Sequence, residues 1–107
     1  MRFEIVLAPA AVEALRALSA RARATVRDAI ERHLRHEPRK LSKSRIKRLR
    51  GLQRPQYRLR VDETRVFYDV TATTVEILAI IEKREAQAWL DDAGTPDENG
   101  GAGEGER

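Results

Sequence analysis

Four arginines stand where a strand pattern can gather them on one surface. In Tyr57-Arg58-Leu59-Arg60-Val61 apolar and basic residues alternate. Side chains alternate across a strand, so Arg58 and Arg60 share one face and Tyr57, Leu59 and Val61 take the other. Asp62-Glu63 then reads as a tight turn into Thr64–Val70, which sets Arg60 opposite Arg65 and Arg58 opposite Phe67. Val66, Tyr68 and Val70 fall on the opposite face. A four-residue turn at 71–74 carries the register onward. It predicts Glu76, Leu78, Ile80 and Glu82 on the arginine side, with Arg84 continuing the parity.

Like charges placed directly opposite one another cost stability. Two readings answer that cost. In one, Asp69, Glu76 and Glu82 neutralise the arginines as a structural network. In the other, the guanidinium forks hold an anion, since their geometry matches phosphate oxygens bidentately. The surrounding charge favours the anion. From Arg39 to Arg65 eleven Lys or Arg face two acids, Asp62 and Glu63, a net +9 in 27 residues. Lys40, Lys43, Lys47, Arg48, Arg50 and Arg54 would flank the same groove. A polyanion, nucleic acid or acidic protein, is the implied partner.

Other chemistries have thinner support. His33 and His36 are three residues apart with Glu37 beside them, a spacing that suits a metal pair or, more simply, two imidazoles at the end of a helix dipole. Gly51 stands alone, so no glycine-rich phosphate loop exists. Ser19, Ser42 and Ser44 have no nucleophile context. Trp89, after the last strand, reads either as a packing anchor or as a platform for a base. The chain has no cysteine, which removes disulfides, thiolate metal sites and cysteine nucleophiles.

The elements that must position these residues fit one small domain. The sequence has 107 residues, 36% of them charged, with a net charge of +4, a length from which one domain rather than a multidomain enzyme is expected. Phe3, Ile5 and Leu7 alternate as in a half-buried strand. Pro9 suits the first turn of a helix carrying Val12, Leu15 and Leu18. Ser19 can cap a second helix with Ala22, Val26, Ile30 and Leu34 on one stripe, and Pro38 ends it. Residues 39–50 read as a loop or short irregular helix, and 51–55 as a turn. Three strands follow, and 86–90 suggest a short helix.

The fold class is therefore α+β, in the order β-α-α-β-β-β, with a small, twisted, mainly antiparallel sheet and a helical hairpin on one face. Residues 1–92 form the domain. Residues 93–107, rich in Gly and acids, form an expected disordered tail. No run approaches a transmembrane span or a signal peptide, so a cytoplasmic location without membrane contact is expected.

The run Leu49-Arg50-Gly51, Tyr57-Arg58-Leu59-Arg60-Val61, Thr64-Arg65-Val66-Phe67-Tyr68-Asp69-Val70, Val75-Glu76-Ile77-Leu78-Ala79-Ile80 and Lys83-Arg84 resembles the RelE/ParE superfamily, the toxins of type II toxin–antitoxin modules. The resemblance covers residues 2–91. It implies a concave sheet with a basic site and, for RelE-like members, ribosome-dependent cleavage of mRNA without metal or other cofactor. In that reaction the 2′-hydroxyl attacks, the 5′ oxygen leaves and a cyclic phosphate forms. Translation is thereby inhibited. Carried over by position, Arg58 and Arg60 match the basic pair of the first active-site strand, Arg65 the arginine of the next, and Arg84 the arginine after the last.

Where the family often has a tyrosine, this chain reads Glu85-Ala86-Gln87-Ala88-Trp89-Leu90, leaving Glu82 and Glu85 as nearby carboxylates. Two other functions share the resemblance: a ParE-like inhibitor of DNA gyrase, and a non-catalytic antitoxin-binding or co-repressor module. All imply a cognate antitoxin with an acidic, disordered, amphipathic segment, and contact with operator DNA only through the antitoxin complex. The nuclease reading adds mRNA and the ribosome as partners.

Overall fold

The computed structural model describes residues 1–97. Strand β1 (Glu4–Leu7) leads into helix α1 (Pro9–Ala17) and helix α2 (Ala20–Leu34). Strands β2 (Ile46–Arg48), β3 (Leu52–Arg54), β4 (Tyr57–Val61), β5 (Thr64–Val70) and β6 (Thr74–Glu82) follow, then helix α3 (Lys83–Ala93) and strand β7 (Thr95–Pro96). The main sheet has the order β1-β6-β5-β4-β2. Only its β1–β6 pair is parallel. β3 and β7 form a separate two-stranded ribbon. None of the helices among the described residues is long and apolar enough to cross a membrane.

The helical hairpin forms for the reasons its sequence offers. Pro9 occupies the first turn of α1, where its missing N–H has no partner to lose. The Ser19 side chain accepts from the Ala22 N–H and caps α2. Arg23 then bolts the helices together. Its Nε donates to the Leu15 carbonyl at 3.1 Å, and its Nη2 donates to those of Arg16 and Leu18 at 3.1 and 2.9 Å. These carbonyls stand at the C-terminal end of α1, where helical partners run out, and that of Leu15 also accepts from the Leu18 N–H. Ala11 and Leu15 are the buried residues of α1, with Val12 and Leu18 only half-buried. Val26, Ile30 and Leu34 are buried on α2, as the stripe predicts.

The core lies between this hairpin and one sheet face. Leu59, Val66, Tyr68, Val75 and Ile77 are fully enclosed there, with Tyr57 stacked on Tyr68 at 5.4 Å. Each such aliphatic side chain contributes roughly 1.5–3 kcal/mol by leaving water. The Tyr68 hydroxyl donates to the Pro38 carbonyl at 2.7 Å, satisfying the one polar group this ring carries inward.

The structure corrects three expectations. The segment 39–50 is neither helix nor irregular loop throughout, because its residues 46–48 pair antiparallel with β4. A three-residue strand with one buried apolar residue, Ile46, leaves too little alternation to read. Regular structure also continues past residue 92, into the expected tail. α3 runs to Ala93, β7 pairs with β3, and the Asp97 N–H donates to the Gly51 carbonyl. The rest of the expected tail, 98–107, lies outside the described residues.

The third correction concerns β6. Tyr68 pairs with Ile77 but Phe67 pairs with Ala79, so Leu78 is an extra residue in a β-bulge. Its insertion reverses the facing of everything after it. Ile80 joins the helix-side core beside Val66, and Glu82 aligns with Thr64 rather than joining the arginine side.

Candidate nucleic-acid interface

The β4–β5 register is the one expected: Arg58 faces Phe67 and Arg60 faces Arg65 across a two-residue turn. Asp62 in that turn has φ of 52°, a left-handed conformation that Asp tolerates better than most side chains. β2 extends the rows outward, with Lys47 opposite Arg58. One row thus reads Lys47, Arg58, Phe67, and the next carries Arg60 and Arg65. The Arg60 N–H donates to the Arg45 carbonyl at 2.8 Å, so Arg45 stands at the register position across from Arg60.

The three strand arginines have different environments. Arg65 is only 6% exposed. Its Nη1 donates to the carbonyls of Asp62 and Thr64 at 2.8 and 3.0 Å. That anchoring leaves the Nε–Nη2 edge of the guanidinium for a bidentate acceptor. Arg58 is half-buried, and its Nε is the only buried side-chain nitrogen or oxygen among the described residues without a hydrogen-bond partner. Burial, then the charges of Arg65 and Arg60, hold the Arg58 guanidinium below its ordinary pKa. Arg60 is exposed.

The neutralising network envisaged for these arginines serves other residues. Arg54 takes both carboxylates of the neighbouring row, Asp69 at 3.3 Å and Glu76 at 3.2 Å. Arg84, in the first turn of α3 with a side chain 82% exposed, pairs with Glu82 at 3.1 Å. Among the described residues no carboxylate forms an ion pair with Lys47, Arg58, Arg60 or Arg65. An anion is the missing partner this arrangement can accept.

Of the residues singled out by sequence, Arg58, Arg60, Arg65 and Lys47 are brought together. Arg84 instead pairs with Glu82 and lines an open pocket with Glu63 and Lys83. Arg48 shares its position with Tyr57, donates to the Gln56 carbonyl at 2.7 Å and lies 5.3 Å from the Tyr57 ring. It belongs to the other side of the sheet. Lys40 pairs with Glu37 at 3.8 Å. Lys43 and Arg50 are exposed outside the strands.

Trp89 resolves as a packing residue, its ring stacked on Phe67 at 4.9 Å and 20°. α3 thereby covers the middle of the arginine face beside Arg58. His36 Nδ1 lies 3.2 Å from the Met1 carbonyl oxygen, and His33 lies elsewhere, beside Arg45. No cluster of three or more His, Asp or Glu suited to a metal occurs among the described residues. Sequence reasoning passed over Arg45. The three-residue strand that follows it, with Ile46 as its one buried residue, carried too little alternation to reveal it.

No protein-family model matches the chain, and no curated protein matches it in sequence. Solved structures do. A chain of the RelB–RelE antitoxin–toxin complex from Methanococcus jannaschii superposes with a TM-score of 0.61 at 19% identity, over 79% of this chain and 98% of that one. One from the RelE–RelB complex of Pyrococcus horikoshii gives 0.59 at 25% identity, over 78% and 97%. One from the toxin–antitoxin complex RelBE2 of Mycobacterium tuberculosis gives 0.61 at 24% identity, over 77% and 99%. The β-α-α order, the antiparallel strands and the arginine-bearing hairpin are thus set in a RelE-like fold.

Proposed function

We propose that this chain is the toxin of a type II toxin–antitoxin module, held inactive by a RelB-type antitoxin, and that it cleaves mRNA on the ribosome. The fold supports the first part, since the matching structures are antitoxin–toxin complexes. The observation that carries the second is the partnerless Nε of Arg58, in the row next to the Arg60–Arg65 pair, with no carboxylate among the described residues to neutralise them.

In phosphodiester cleavage by a 2′-hydroxyl, the oxygen–phosphorus bond forms as the bond to the 5′ oxygen breaks, and negative charge grows on the non-bridging oxygens. Guanidiniums already fixed around that position stabilise it without reorganising. Arg65 is fixed by the turn carbonyls and Arg58 by half-burial, so both suit this task. Arg60 and Lys47 suit the flanking backbone phosphates, and Arg84 the leaving side once its contact with Glu82 opens. Guanidinium is a poor proton carrier at neutral pH.

The same face carries no histidine or tyrosine among its described residues. This observation favours a second reading, a ParE-like protein that inhibits DNA gyrase without cutting RNA. Inducible expression without antitoxin, with mapping of mRNA 5′ ends, separates the two. The nuclease reading expects new breaks at fixed codon positions within translated frames. Growth arrest without breaks, accompanied by cleaved gyrase–DNA complexes, would establish the second. Unchanged growth would leave a non-catalytic antitoxin-binding module.

A further inference from the structure

An open groove of about 540 Å³ runs around the β2 side of the sheet, and a smaller one of about 200 Å³ shares Arg32, His33 and Arg45 with it. Neither groove takes part in the cleavage step proposed for Arg58 and Arg65. The groove's floor is preset by the loop before β2. The Ser42 Oγ accepts from the N–H groups of Arg45 and Ile46 at 3.0 and 3.1 Å, and the Ser42 N–H returns to the Ile46 carbonyl. The Arg45 carbonyl in turn accepts from the Arg60 N–H. Arg45 and Arg60 are therefore adjacent cations on fixed backbone, and no carboxylate pairs with either among the described residues.

Across the groove stand Arg32 and His33 of α2, with the Ser44 hydroxyl on the near wall. Arg32 is tied at 3.2 Å to Asp28, an exposed pair of little energetic weight. Asp62 lines the far end without pairing to Arg45 or Arg60. Glu37 and Lys40, bound to each other, line the smaller groove. Arg60 belongs both to this groove and to the row it shares with Arg65, so the two basic regions are continuous.

We infer that this edge groove is a second phosphate site, in which Arg45, Arg60 and Arg32 hold a backbone phosphate of the RNA strand seated on the arginine rows. The identity of that strand rests on the function proposed above. The site itself rests on the like-charged residues and the preset loop. His33 reports on it. Burial, then the charges of Arg45 and Arg32, lower its pKa, with Asp28 opposing. An anion between these cations reverses part of that effect.

The test uses the full chain made by cell-free synthesis, with inorganic phosphate as probe and imidazole NMR signals as readout. His33 should shift saturably and titrate at higher pH with phosphate present, while His36 serves as internal control. Arg45→Ala should abolish the response and Arg58→Ala should keep it. A His33 signal blind to phosphate, or equally responsive in Arg45→Ala, overturns the site. A labelled single-stranded RNA then tests the occupant by anisotropy against salt. Losing one phosphate contact lowers the log–log slope by about 0.7, and an unchanged slope in Arg45→Ala overturns the RNA assignment. Failure of the nuclease reading would show instead as absent mRNA breaks, with the phosphate response of His33 intact.

Discussion

Two regions of one sheet face use arginine in opposite ways. Around Arg54 every charge is answered: Asp69 and Glu76, directly opposite each other on β5 and β6, share one guanidinium. The Gln56 N–H donates to Asp69 Oδ1 at 2.7 Å, and Gln56 Oε1 accepts from the Val70 N–H at 2.9 Å. Around Arg58, Arg60 and Arg65 no carboxylate answers, although the same strands supply the positions. The composition of the block does not distinguish the two regions. What separates them is where the register delivers the acids. A closed charge network supports the fold, whereas an open one stores affinity for a ligand.

Breaking the open region should change activity far more than stability. Arg58→Ala is expected to lower mRNA cleavage on the order of 100-fold, measured as the frequency of in-frame 5′ ends, with an unchanged thermal midpoint. Breaking the closed region should do the reverse. Arg54→Ala leaves Asp69 and Glu76 facing each other and should cost about 1–2 kcal/mol in chemical denaturation, with cleavage kept within a few-fold. If both substitutions act alike, the distinction between the regions fails.

A finer test removes repulsion. Arg60→Gln takes away one member of the Arg60–Arg65 pair and should stabilise the free protein by a few tenths of a kcal/mol, while weakening RNA binding and steepening nothing in its salt dependence. The smallest effect lies in the closed region. Burial raises the Asp69 carboxyl above its ordinary pKa, outweighing the Gln56 N–H and Arg54 that lower it. The folded state therefore holds that proton more tightly than the unfolded chain. Asp69 lends stability below its unfolded pKa of 3.8 that is lost as the pH rises through the higher folded value. Asp69→Asn should remove that slope from stability measured across the acid range.

The hairpin was legible because its alternation is clean and its turn is two residues long, so parity alone placed Arg58, Arg60 and Arg65. The Ser19 cap and the α2 stripe were legible for similar local reasons. Legibility ended where the structure depends on distant partners. β2 is three residues long and owes its existence to β4. β7 exists only against β3, whose Leu52 packs next to Gly94. The side chains that occupy Asp69 and Glu76 were hidden for the same reason, since Arg54 reaches them from a strand outside the main sheet. The Leu78 bulge has no mark in a run of continuous apolar residues, Val75 to Ile81 broken only by Glu76.

That bulge acts as a phase shift. With an unbroken β6, Glu82 would share the parity of Glu76 and bring a carboxylate to the arginine side of the sheet. One extra residue at Leu78 sends it to the other side, where Arg84 takes it up. The Arg60–Arg65 end of that face is thus kept free of an acid by insertion rather than by substitution. A chain losing Leu78 would retain every charged residue and still lose the separation between its two charge systems.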